Sequence, residues 1–371
     1  FSFIYDLVKG LYSEDNGRPS IDPVVLFKIV FIQHLFGIRS MRQTIKEIEV
    51  NIAYRWFLGY DLLEPIPHFT TFGKNYARRF SDSDVFEQIF ERILLEAVRC
   101  KFVDPSAVFI DATHIKASAN RKKSINEQVK IEAKHYHKEL MEEINADREK
   151  HGKKPLHDKD DDDDPPATKS VKKSTTDPDC GEFHKGEHQK CFAYTAHVAC
   201  DRNNFILKAD VSAGNVHDSV MFDGVYRQVK EAFPEVEAVV VDAGYKTPWI
   251  CKQVFDDNKI AVTPYKRPMT KQGFFRKNDY VYDEYYDCVI CPNNQVLEYS
   301  TTNREGYREY KSNPHICSNC SMRSQCTESK NYQKIVTRHV WEEYIERAED
   351  IRHTPEGKEL YNLRSQSIER V

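Results

Sequence analysis

Two short apolar runs, each halted by an aspartate, set the strongest limit on how this chain can fold. Val108, Phe109 and Ile110 lead into Asp111, and Val239, Val240 and Val241 lead into Asp242. Runs this short and this rich in β-branched residues do not make independent helices, so both read as buried strands. An aspartate at the end of such a strand leaves the core where solvent, metal or substrate can reach it, although Asp is also a common turn former. Gly244 permits a sharp turn after the second run, and Thr247-Pro248 opens a helix. Two strands that each deliver a carboxylate to a sheet end are the start of a divalent-metal site. Oxygen ligands suit Mg²⁺, and two ions roughly 3.5–4 Å apart can clamp the attacking and leaving oxygens of a phosphodiester.

The remainder can be placed around those strands. Residues 1–100 read as helical. Asp22 caps a helix with Pro23 at its first position, Gly37 ends it, and Ser40 caps a second in which Ile45, Ile48 and Ile52 recur at near-helical spacing. A third helix from Thr70 or Thr71 carries Lys74, Arg78 and Arg79 on an exposed side, and Phe86 to Ala97 supplies an apolar stripe. Such short helices can be a helix-turn-helix that lays the three basic residues on DNA, or a bundle with a solvated basic face. Lys116 and the basic residues Arg121 to Lys123 follow the first aspartate strand, where they could hold phosphates. Residues 130–150 read as a polar helix. The pattern from Lys190 to Cys200 alternates with strand period, turns at Asn203-Asn204 and returns over Phe205 to Val211. With a helix from His217-Asp218, the Asp242 strand, a helix over 248–257 and a strand over 260–263, the order is βββαβαβ, which suits a mixed sheet with helices on its faces.

Composition adds three limits. The net charge of −4 argues weakly against a nucleic-acid partner. Much of that acidity, however, lies in the run Asp158 to Asp164, broken only by Lys159 and followed by Pro165-Pro166, which reads as a self-repelling, disordered loop. No apolar run approaches the roughly 18 residues that cross a bilayer, and a chain starting at Phe1 without a leader reads as a fragment or processed product. Half of the 10 cysteines cluster in one block, which points to metal-type spacing and a reducing, cytoplasmic setting rather than a secreted disulfide framework. In that block Cys288-Val-Ile-Cys291 and Cys317-Ser-Asn-Cys320 are two CxxC pairs, the pattern of a tetrahedral structural Zn²⁺ site, with Cys326 spare and His315 able to replace a sulfur. A two-ion Mg²⁺ site needs a third carboxylate, and the last stretch offers Glu369, with Tyr361 and Arg364 ahead of it to stack, donate a hydrogen bond or pair with phosphate.

The pieces Ile21-Asp22-Pro23, Ser40-Met41-Arg42, His68 to Phe72, Phe109 to Thr113 with Ala119-Asn120, Ser174 to Pro178, Asp242 to Tyr245 and Ser300 to Tyr310, in that order and spacing, give the chain a resemblance. It resembles the DDE transposases of bacterial insertion sequences, with an RNase H-like catalytic domain, a helical N-terminal domain and a cysteine block before the last catalytic helix. The resemblance implies an α/β fold with an RNase H-like mixed sheet, an N-terminal all-α domain and an inserted cysteine-rich, ribbon-like segment. It divides the chain into a DNA-binding part at 1–100, a catalytic core at 101–265 with a charged insertion at about 122–180, the cysteine-rich insertion at 266–335, and the start of a C-terminal catalytic part at 336–371, truncated after Val371. It implies that Asp111, Asp242 and Glu369 hold Mg²⁺, and that Tyr361 and Arg364 position the DNA backbone. It also implies metal-dependent cleavage at terminal inverted repeats and strand transfer into target DNA, by a homodimer or larger synaptic assembly in the bacterial cytoplasm at the nucleoid. The alternatives are a catalytically inactive, transposase-derived DNA-binding protein and a metal-dependent nuclease of the same fold. Arg364 and Glu369 lie about 140° apart on an ideal helix, so they share a face only if a helix begins between them, which Ser365 or Ser367 as N-cap would allow.

Overall fold

The computed structural model describes residues 1–13, 20–130, 136–157, 168–185, 189–267 and 269–370, and the chain divides into two compact units, Phe1–Lys101 and Phe102–Val371. The acidic run at 158–164 lies outside the described residues. In the first unit the helices are α1 (Phe3–Val8), α2 (Pro23–Leu35), α3 (Met41–Val50), α4 (Ile52–Leu58), α5 (Thr70–Asn75) and α6 (Val85–Arg99). The caps follow the sequence: Asp22 accepts the Val24 N–H at 2.7 Å, Ser40 accepts the Gln43 N–H at 3.2 Å, and Gly59, in the left-handed region at φ 86°, ends α4. Helix α2 is apolar all round and is the centre of this unit. Val24 and Phe27 pack with Ile4, Val8, Phe80 and Val85, while Ile29 and Ile32 pack with Ile45, Ile48 and Leu58.

The second unit is built on a six-stranded sheet. Its strands are β1 (Ala107–Lys116), then, after β2 (Ser124–Lys130), helix α7 (His137–Lys150) and β3 (Thr168–Ser174), strands β4 (Gly181–Lys185), β5 (Gln189–Cys200) and β6 (Ile206–Ala213). Helix α8 (Asp218–Ala232), β7 (Ala238–Val241), helix α9 (Pro248–Asp256) and β8 (Ile260–Val262) complete it. The path β4-β5-β1-β7-β8, with β6 also on β5, is antiparallel on one side of β1 and parallel on the other. This mixed α/β order, three antiparallel strands followed by two parallel crossovers through α8 and α9, is RNase H-like.

Three findings add to or correct the sequence reading. Within residues 122–180, β2 and β3 pair antiparallel along their whole length, and the polar helix read over 130–150 is α7, which buries Leu140, Met141 and Ile144 against Val340 and Trp341. Strands β2 and β3 escape sequence reading because they are polar nearly throughout. The cysteine-rich segment is a five-stranded antiparallel meander, β9 (Val281–Asp283), β10 (Cys288–Ile290), β11 (Val296–Thr302), β12 (Tyr307–Lys311) and, after helix α10 (Pro314–Ser318), β13 (Ile335–His339), rather than a ribbon. Its core is Tyr280, Val289, Leu297 and Tyr310. Helix α7 joins this sheet through a buried charge, since Asp147 accepts from Arg308 Nε at 2.7 Å and from the Thr302 hydroxyl. Third, α11 (Glu342–His353) and α12 (Pro355–Leu363) are followed by a tight turn and a 3₁₀ turn at Ile368–Arg370. Neither serine caps a new helix there: Ser365 and Ser367 donate back to the Asn362 and Leu363 carbonyls, at 3.0 and 2.9 Å.

Candidate active site

Strand register brings Asp111 and Asp242 together. The parallel pairing of β1 with β7 ends at Ile110 opposite Val241, so each aspartate is the first residue beyond that pairing, although β1 itself continues against β5. Side chains alternate faces along a strand. Ala107, Phe109 and Asp111 therefore share one face of β1, and Ala238, Val240 and Asp242 the same face of β7. The apolar members form one buried cluster with Leu360 and Ile368, and Tyr361 and Leu363 pack against it. Burying Leu360 and Ile368 contributes about 2 kcal/mol each, and it lays the C-terminal segment beside both carboxylates.

The residue at the centre is Arg364. It is buried, donates from Nη1 to Glu369 at 2.6 Å, and donates from Nη2 to Asp111 Oδ2. The guanidinium fork thus ties two carboxylates that lie far apart in sequence. Asp111 also accepts the Ala112 N–H at 2.8 Å. Burial raises the Asp111 carboxyl above its ordinary pKa; the Arg364 charge opposes that shift, and the charges of Asp242 and Glu369 add to it. Asp242 accepts the N–H groups of Gly244 at 2.8 Å and Tyr245 at 3.3 Å, which fixes it as a turn cap. Gly244 has a second use: a Cβ there would stand 3.1 Å from Asp242 Oδ1 and 3.5 Å from Asp218 Oδ2. Burial raises the Tyr361 phenol, which senses the charges of Arg364, Asp242, Glu369 and Asp111. Asp111, Asp242, Glu369, Arg364 and Tyr361 therefore meet at one sheet end.

Among the described residues no three His, Cys, Asp or Glu side chains stand together in metal-ligand geometry. Three neighbouring carboxylates need a counter-charge, and Arg364 supplies it between two of them. The donor set is all oxygen, which is what a hard divalent cation takes, and a cationic group already lies between Asp111 and Glu369. The residues fit such an ion on both counts.

The other candidate residues lie elsewhere. Lys116 is exposed on β1, about 17 Å along the strand from Asp111 at the usual rise. Lys74 and Arg78 are exposed in the first unit, but Arg79 is not on that free face: it lies over the Tyr12 ring at 4.6 Å and donates to Asn75. A π-helical turn at Tyr76–Phe80 rotates it inward.

The CxxC pairs do not meet as spacing suggests. Cys288 begins a strand, and residues three apart on a strand face opposite ways. Val289 and Cys291 turn toward the sheet core, while Cys288 is buried away from it. Cys291, Cys317, Cys320 and Cys326 line one cavity, and Cys288 does not.

Sequence reading missed a buried polar layer beside the aspartates. His197 on β5 is 3.0 Å from the Ser212 hydroxyl and 3.3 Å from the Tyr245 hydroxyl, and burial lowers its pKa. Its signal was a lone histidine in an alternating strand, and Asp218 read only as the start of a helix.

A transposase domain (DUF772) matches residues 1–78, and a transposase DDE domain matches residues 290–371, the span that holds Tyr361, Arg364 and Glu369. No curated protein matches the chain. Among solved structures it is similar to the Mos1 transposase paired-end complex with left transposon end, at 10% identity and a TM-score of 0.20 over 70% of this chain and 65% of that one. It is also similar to a pre-cleavage Mos1 transpososome, at 11% identity and a TM-score of 0.20 over 68% and 63%, and to the Mos1 mariner paired-end complex with Mn, at 11% and 0.21 over 71% and 66%. The chain thus spans just under two thirds of the length of these proteins.

Proposed function

Starting from a chain that matches transposase domains at both of its ends, we propose that it is a DDE transposase, cutting DNA at the terminal inverted repeats of an insertion sequence and joining the freed ends to target DNA. The observation that carries this reading is the register of β1 and β7, which sets Asp111 beside Asp242 on the face where Arg364 and Glu369 pack. Asp111, Asp242 and Glu369 are the residues to hold two Mg²⁺ ions. Bound divalent ions supply Lewis-acid activation of the attacking oxygen and neutralise charge on the phosphodiester. The side chains do the rest. The Arg364 fork, planar and always charged, suits the non-bridging oxygens of a phosphate as well as the carboxylates it now holds, so DNA competes for it. Tyr361, wedged on the apolar cluster, fixes the turn that carries Arg364. Partial burial raises the Asp111 carboxyl, and a bound cation beside it would offset that penalty.

In this proposal residues 1–100 dock DNA with Lys74 and Arg78, residues 101–265 and 336–371 make the catalytic part, and two or more copies pair the element ends. No helix among the described residues is long and apolar enough to cross a membrane, and the enzyme works at the nucleoid in the cytoplasm. Asp111→Asn and Asp242→Asn in the full-length protein should each abolish Mg²⁺-dependent nicking of terminal-repeat DNA while DNA binding survives. Nicking at the parental rate by either variant refutes the assignment, and nicking by the parent without strand transfer would make it a nuclease instead.

A further inference from the structure

The cysteine sheet carries a feature that the DNA chemistry does not use. Four thiols, Cys291 after β10, Cys317 in the last turn of α10, and Cys320 and Cys326 between α10 and β13, line one pocket. All ten cysteines of the chain are free thiols. No carboxylate lines the cavity, whereas Arg323 and Lys334 do. Three of the four sulfurs already have a hydrogen-bonding group in reach. The Gln295 N–H donates to Cys291 Sγ at 3.4 Å, Asn293 Nδ2 donates to Cys320 Sγ at 3.6 Å, and the Tyr280 hydroxyl is 3.2 Å from Cys326 Sγ.

We propose that Cys291, Cys317, Cys320 and Cys326 form one structural site for a soft divalent cation, zinc, and that Cys288 has no part in it. Sulfur-only donors in a pocket free of carboxylates select zinc over Mg²⁺ or Ca²⁺. The hydrogen bonds to sulfur are of the kind that orient thiolate ligands and spread their charge. As each Zn–S bond forms, the thiol releases its proton to solvent, and the completed site carries a net charge of about −2. Arg323 and Lys334 offset that charge. Both are held by backbone carbonyls, Arg323 by Ser318 at 2.8 Å and Lys334 by Cys326 at 3.2 Å. No three of these sulfurs stand together in metal-ligand geometry in the unliganded chain, so zinc has to draw the 291–295 loop onto the 317–326 segment as it binds. The strand geometry of β10 excludes Cys288, because its side chain leaves the opposite face.

The test is metal content of the full chain, purified under reducing conditions, together with the spectrum of its cobalt-substituted form. One zinc per chain is expected, with the intense tetrahedral bands and sulfur-to-metal charge transfer of a four-thiolate site. Cys288→Ser should keep both. Cys326→Ser should fall below about a tenth of the parental zinc. Cys326→His, which returns a nitrogen ligand, should bind again with the cobalt bands moved to those of a three-sulfur, one-nitrogen site. A reduced parent without zinc overturns the proposal, as does zinc lost in Cys288→Ser but kept in Cys326→Ser. An unshifted cobalt spectrum in Cys326→His overturns it even where the serine variant does not fold.

Discussion

Arg364→Ala is the most informative single change, because one guanidinium holds together carboxylates from two ends of the second unit. The side chain of Arg364 is 10% exposed, that of Asp111 26% and that of Glu369 49%. Removing one partner of a fully buried pair costs about 3–5 kcal/mol, most of it from stranding the other charge. Asp111 keeps some solvent and Glu369 keeps half, so screening lowers the expected cost to about 2–3 kcal/mol. At roughly 2–4 °C per kcal/mol for a unit of this size, the midpoint of thermal unfolding in EDTA should fall by about 4–12 °C. The same substitution frees Asp111 and Glu369 for a cation. Mg²⁺ or Mn²⁺ should therefore raise the midpoint more in the variant than in the parent, since an ion bound only by the folded state stabilises it by mass action. Arg364→Lys, which keeps the charge but not the fork, should fall between the two. A variant that melts within about 1 °C of the parent in EDTA, or equal metal shifts in both, would show that Arg364 does not stand in for a bound cation.

Two further outcomes follow from other residues. Burial depresses the His197 pKa, so the unfolded chain takes up a proton that the folded chain resists; stability is complete above the ordinary value of about 6.5 and is lost as pH falls below it, at up to about 1.4 kcal/mol per pH unit. Urea titrations between neutral and mildly acidic pH should show this slope, and His197→Gln should flatten it; an unchanged slope would assign the effect to another group. For DNA binding, Lys74→Ala and Arg78→Ala should each lower the salt dependence of affinity by about one phosphate contact. Arg79→Ala should instead lower thermal stability through loss of the Tyr12 and Asn75 contacts; the reverse pattern in salt titrations and melts would place Arg79 on the DNA.

The aspartate strands were legible because they obey a simple rule: three apolar residues, no glycine, and a carboxylate at the point where burial stops. The helix caps at Asp22 and Ser40 were legible for a similar reason, since each is a local contact three residues long or shorter. Long-range consequences were not. That Arg364 pairs with Asp111 depends on a turn after α12 that no periodicity encodes. The cysteine block misled because spacing was read without its backbone: in a loop, Cys288 and Cys291 would share a metal, but β10 sends them to opposite faces. Strands such as Thr168–Ser174, rich in lysine and serine, carry too little apolar contrast to be separated from a solvated loop.

The link from α7 to the β11–β12 hairpin has a consequence for how this chain could gain or lose parts. Asp147 comes from α7 and Arg308 from β12, yet each is the other's counter-ion. Cutting out either element leaves a lone charge on the other, so neither is a detachable cassette. A shortened version of this protein must drop both together or replace the pair with matched neutral residues.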